Sequence, residues 1–65
     1  MITEIDIWRA AQLMLRWYGD MAQEESIRRV DELSAAADFT GVAIWLRIIE
    51  AIDQLANITP PGPVH

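Results

Sequence analysis

Apolar residues recur at three- and four-residue intervals through almost the whole chain, and no stretch alternates apolar with polar as a half-buried strand would. This spacing predicts three helices: one from Glu4 or Ile5 to Tyr18, a second from Met21 to Ala37 and a third from Phe39 to Ala56. Thr3 is placed to cap the first, with Glu4 and Asp6 in its first turn, where the helix dipole favours negative charge. Gly19 supplies a residue able to end that helix, and Asp20 follows as the expected N-cap of the second. Asp38 or Thr40 is the expected cap of the third. Gly41 falls in its first turn, where the missing side chain leaves room for another backbone. The segment Thr59-Pro60-Pro61-Gly62-Pro63-Val64-His65 lacks periodicity and backbone donors, and reads as a disordered tail after a single domain spanning residues 1–58. Pro60 and Pro63 match P-x-x-P, a pattern that any short proline-rich tail satisfies.

The three helices differ in how much of their circumference is apolar. The second has a narrow stripe of Ala22, Ile27, Val30, Leu33 and Ala37, with Ser26 and Ser34 on the same side. Its opposite face carries Glu24, Glu25, Arg28, Arg29, Asp31 and Glu32, which form two i,i+4 acid–base pairs in the favoured order. That is the pattern of an outer helix with one wet face. The first helix confines its polar residues to Arg9, Gln12 and Arg16, with Asp6 nearby. The third confines them to Arg47, Glu50 and Gln54, with Asp53 alongside, and sets Ile44, Trp45, Ile48, Ile49, Ile52 and Leu55 in one wide arc extended by Val42 and Leu46. Arcs of roughly two-thirds of the circumference exceed the ~100° that one packing face needs. Three short helices packed once against one another leave part of them in water, and such surplus marks interfaces, where Trp and Tyr are enriched. The expected interface residues are Trp8, Trp17, Tyr18, Trp45, Ile49 and Ile52. The competing reading is that the tryptophans fill a small core.

Size sharpens this expectation. With 65 residues the chain makes one domain, and a domain of that size buries only about 60% of the surface its unfolded chain exposes. There is no cysteine to form a disulfide or a thiolate metal site, and the one histidine is His65. Good helix packing or a partner chain has to supply what the core lacks.

Charge and chemistry narrow the function classes. Ten acidic residues face five basic ones, all arginine, for a net charge of −5. This argues against nucleic acids and anionic membranes as partners. The first residues are acidic where a signal peptide is basic, and no apolar run approaches a membrane span, so the expected location is cytoplasmic. Asn57-Ile58-Thr59 fits the glycosylation pattern without meaning in that setting. The carboxylate pairs Glu24/Glu25, Asp31/Glu32 and Glu50/Asp53 lie on predicted wet faces beside arginines rather than in a shielded pocket, and no phosphate-binding glycine loop occurs. No catalytic, cofactor-binding or metal-binding residue is expected, and the chain does not read as an enzyme. A helix-turn-helix is the tempting alternative, yet the third helix offers only Arg47 beside Glu50 and Asp53 to a groove. One helical hairpin of tetratricopeptide type is arguable around Ala36–Ala43, but no second copy follows.

The blocks Asp6-Ile7-Trp8-Arg9-Ala10-Ala11, Tyr18-Gly19-Asp20 and Gly41-Val42-Ala43-Ile44-Trp45-Leu46-Arg47-Ile48-Ile49 resemble a family of short uncharacterised proteins, mostly from alphaproteobacteria. The resemblance spans roughly residues 5 to 56 and implies an all-helical domain of unknown function, with no catalytic residues to carry over. One departure is Ala37, where Gly would be expected before Asp38. It weakens a sharp stop after the second helix, and leaves open a straighter connection and exchange of the third helix between chains. The sequence thus predicts an all-α three-helix chain that forms a homodimer and serves as a protein–protein interaction or regulatory module, needing no cofactor. A DNA-binding regulator and an accessory subunit of a partner enzyme are the alternatives.

Overall fold

The computed structural model describes residues 3–58. It contains α1 (Glu4–Tyr18), one 3-10 turn (Gly19–Met21), α2 (Ala22–Ala35) and α3 (Phe39–Ile58), with no strand among the described residues. The all-α, three-helix architecture is the one that the apolar spacing dictates. The tail expected over residues 59–65 lies outside the described residues.

Local chemistry sets each helix start and stop. Thr3 Oγ1 accepts from the Asp6 N–H at 3.2 Å, and Asp6 Oδ2 accepts from the Thr3 N–H at 3.2 Å, a reciprocal capping box that satisfies two otherwise orphaned donors. At the far end of α1 the Gly19 N–H donates to the Leu15 carbonyl. Gly19 has φ 55° and ψ −123°, the geometry of the first central residue of a type II′ turn, which a side chain opposes. The chain then makes its 3-10 turn and enters α2 through Met21, which supplies no side-chain cap. Asp20 therefore is not the N-cap expected of it; it lies exposed within the turn.

The second corner is tighter than expected. α2 ends at Ala35, two residues before the predicted Ala37, because Ala37 swings to φ 58°. Its N–H donates to the Ser34 carbonyl at 3.0 Å and the Asp38 N–H to the Leu33 carbonyl at 2.8 Å, the paired bonds of a Schellman stop. The straighter connection that Ala37 left open is not what forms: the hydrogen bonds hold an alanine in a conformation normally left to glycine. Asp38 at once starts α3, accepting from the Gly41 N–H through Oδ1 at 3.0 Å. A Cβ on Gly41 would lie 3.0 Å from Asp38 Oδ2 and 3.1 Å from Leu33 Cδ1. The missing side chain thus admits the capping carboxylate and Leu33, rather than another backbone.

α3 is the wall against which both other helices pack. Along α2, Gln23 Nε2 donates to the Ile49 carbonyl at 3.2 Å and Arg29 lies over the Trp45 ring, while Leu33 reaches Gly41, so α2 runs antiparallel to α3. The start of α1 (Glu4, Ile7, Trp8) borders one groove with Arg47, Glu50, Ala51 and Gln54, and Leu15 near its end, with Gly19 beyond it, borders another with Ile52, Asp53 and Ala56, so α1 packs on the C-terminal half of α3. Among the described residues, the buried apolar ones are Ile7, Ala11 and Met14 of α1, Ala22 of α2, and Ile48, Ala51 and Ile52 of α3. The three alanines allow close helix approach but contribute little burial, so Met14 and the isoleucines, at about 1.5–3 kcal/mol each, dominate the core. Ser26, 0% exposed, donates to the Ala22 carbonyl at 2.8 Å and so buries its hydroxyl with a partner.

Two predictions follow from the corners. Replacing Ala37 with Gly removes a left-handed penalty of ~1–2 kcal/mol against a glycine entropy cost of ~0.5–1 kcal/mol, so Ala37→Gly raises the urea midpoint; a lowered midpoint would contradict the corner geometry. Asp38→Ala lowers stability by ~1 kcal/mol, as loss of an N-cap does, while Asp20→Ala changes it by less than ~0.5 kcal/mol. Parallel chemical denaturation of the two variants checks the contrast.

Candidate functional site

The described residues hold no group of three His, Cys, Asp or Glu side chains that could bind a metal. No helix among them is long and apolar enough to cross a membrane. A groove between α1 and α3 brings Glu4, Arg47 and Glu50 beside Ile7, Trp8, Ala51 and Gln54, and another, of Arg9, Gln12, Leu13 and Arg16, lies on the outer surface of α1 alone. What the molecule does display is apolar surface.

The six residues expected at an interface separate into three groups. Ile52 is 1% exposed and belongs to the monomer core, so it is not free to meet another chain. Trp8, Tyr18, Trp45 and Ile49 are half-buried, and the first three pack against the core. Trp17 is 65% exposed. The wide apolar arc of α3 is used because α3 packs against two neighbours, α1 and α2. Ile48 and Ala51 lie in the core with Ile7 and Ala11 of α1, while Trp45, Ile49 and Gly41 meet α2. For α1 the surplus is real: Ile5, Leu13 and Trp17 remain exposed on its outer side and flanks.

A second apolar strip runs along the α2–α3 hairpin. The Gln23–Ile49 bond fixes which flank of α2 lies beside which flank of α3. Further along the Gln23 flank come Ile27 and Val30; back along the Ile49 flank come Leu46 and Val42, then Phe39. Because the helices are antiparallel, these residues form one face of the hairpin, with Phe39, Leu46 and Ile27 all about half exposed or more. Ile27 was expected on the buried stripe of α2. That helix instead buries Ala22 and Ser26 and half-buries Arg29 and Leu33, which turns Ile27 to the rim. The signal available in the sequence was the small pair Ala22/Ser26, four residues apart, which admits a close neighbour where Ile27 does not.

The charges also depart from the expected pairs. Arg28 pairs with Glu25 across three residues, and the Glu25 carboxylate holds the Arg28 guanidinium above its usual pKa. Arg29 abandons the wet face and lies 5.3 Å from the Trp45 ring centroid. The cation is attracted to the ring face, and its stem covers apolar surface. Arg29 Nε is buried without an acceptor, a cost that the ring contact has to offset. Among the described residues Arg9, Arg16 and Arg47 have no ion-pair partner, nor do Glu24, Asp31, Glu50 and Asp53. No family model, no curated protein and no solved structure matches the chain.

Arg29→Ala lowers stability by ~1 kcal/mol through loss of the ring contact and stem packing. Trp17→Ala, in dilute solution, changes it by less than ~0.5 kcal/mol because little of that side chain is covered. Urea titrations of both variants at low protein concentration measure the difference; a large loss for Trp17→Ala would mean that it is a core residue.

Proposed function

We propose that the chain is a small protein–protein interaction module that acts by associating with a second copy of itself, a homodimer being the smallest such assembly. The observation that carries this reading is the exposure of large apolar side chains. Ile5, Trp17, Met21, Phe39 and Leu46 are each more than 50% exposed, and Leu13 and Ile27 more than 40%. Single exposed apolar residues are ordinary, but here they recur along the outside of α1 and along one face of the hairpin, on a domain whose own core is thin. Covering an aromatic side chain removes on the order of 100 Å² or more from water, at ~25 cal/mol per Å². A few such residues per chain tie folding to association.

Light scattering over a concentration series, with thermal melts on the same samples, tests the proposal. The mass should exceed that of one chain at tens of micromolar, and Tm should rise with concentration. A single-chain mass with a concentration-independent Tm would overturn it.

A further inference from the structure

The geometry points to a head-to-tail contact in which the outer face of α1 on one copy lies along the exposed face of the α2–α3 hairpin on the next. This inference rests on the self-association reading and says which surfaces meet. On α1, Arg9 and Arg16 stand seven residues apart with Leu13 between them, all three exposed. On α2, Glu24 and Asp31 stand seven residues apart with the exposed Ile27 between them. Seven residues of helix span roughly 10 Å in both cases, so the two charge pairs and the two apolar residues can meet at once. Neither arginine nor either carboxylate has an ion-pair partner among the described residues. Of the neighbouring charges, Asp6 binds the Thr3 N–H and Arg28 pairs with Glu25.

The same surfaces do not suit a two-fold pairing of like with like. Hairpin face against hairpin face would bring Glu24 and Asp31 near their own copies, and α1 against α1 would do the same with two arginines. Opposite charge across the contact and like charge against the alternatives together set partner choice. The two surfaces also point apart. Leu46 of the hairpin face lies about 140–160° around α3 from Ile48 and Ala51, which lie in the core shared with α1. Arg9 and Arg16 lie on the side of α1 away from its buried Ile7, Ala11 and Met14. Surfaces on opposite sides of a molecule cannot satisfy each other within a two-fold dimer. The contact is heterologous, so each copy keeps a free face and association continues into a ring or a chain.

Charge reversal on each side separates this pairing from other modes. The variants are Arg9→Glu/Arg16→Glu and Glu24→Arg/Asp31→Arg; all four positions are exposed, and circular dichroism confirms the fold of each. In sedimentation experiments at tens of micromolar and low salt, wild type should associate beyond a dimer, each variant alone should remain a single chain, and an equimolar mixture should regain the wild-type mass. Raising the salt should weaken the wild-type assembly. A wild type that associates while the variants do so equally well, or while the mixture stays dissociated, would overturn the pairing and leave self-association standing. A wild-type mass that stops at two chains would overturn the head-to-tail arrangement. A monomeric wild type would overturn both readings.

Discussion

The arrangement depends on α3 serving two neighbours at once. A helix that packs on one partner needs a stripe of about 100°, and one shared between two partners needs nearly twice that. The arc from Ile44 round to Ile49 meets this demand, with Ile48 and Ala51 in the core with α1 and Trp45 and Ile49 toward α2. Once α3 is the shared wall, α1 and α2 need touch each other only lightly. The buried Ser26 hydroxyl fits because it donates to its own helix at Ala22 and needs nothing from across the interface.

The corners convert that packing demand into a definite path. Gly19 reverses the chain through a conformation that a side chain opposes. At Ala37 the chain adopts positive φ without glycine, and two backbone hydrogen bonds together with the Asp38 cap hold it there. Asp38 ends one helix with its N–H and begins the next with its carboxylate. This double use leaves no linker between α2 and α3, and the hairpin is consequently close. Gly41 completes it by leaving space for Leu33 and the capping carboxylate.

A core of seven apolar residues among those described, three of them alanine, leaves a domain of this length with little margin. Arg29 reflects the same shortage. Covering Trp45 with a guanidinium, at the cost of an unpaired buried Nε, is how the structure closes a flank that lacks a spare apolar side chain. The apolar residues left outside, on α1 and on the hairpin face, are material that more helices would have buried. They lie on two separate sides because α3 turns Ile48 and Ala51 toward α1 and Leu46 away from it.

The sequence by itself determined the all-α class, three helices, the cap of α1 at Thr3 and the corner at Gly19, and narrowed the cap of α3 to Asp38 or Thr40. Each of these depends on periodicity or on hydrogen bonds between residues no more than four or five apart, which the chain order contains. It also determined that α1 carries more apolar surface than one face can use. Tertiary structure decided which surplus was real. Ile52 became core and Trp45 half-covered because α3 acquired two neighbours, a fact that no single-helix wheel holds. Ile27 became surface because α2 approaches α3 through Ala22 and Ser26, and the rotation of a helix about its own axis is set by what it packs against. Asp20 is not a cap because the chain takes a 3-10 turn over Gly19–Met21 before α2, and Ala37 takes a glycine-like conformation where α2 turns into α3. The direction in which α3 must leave the corner is fixed by the core it has to join, and the backbone takes whichever turn delivers it there.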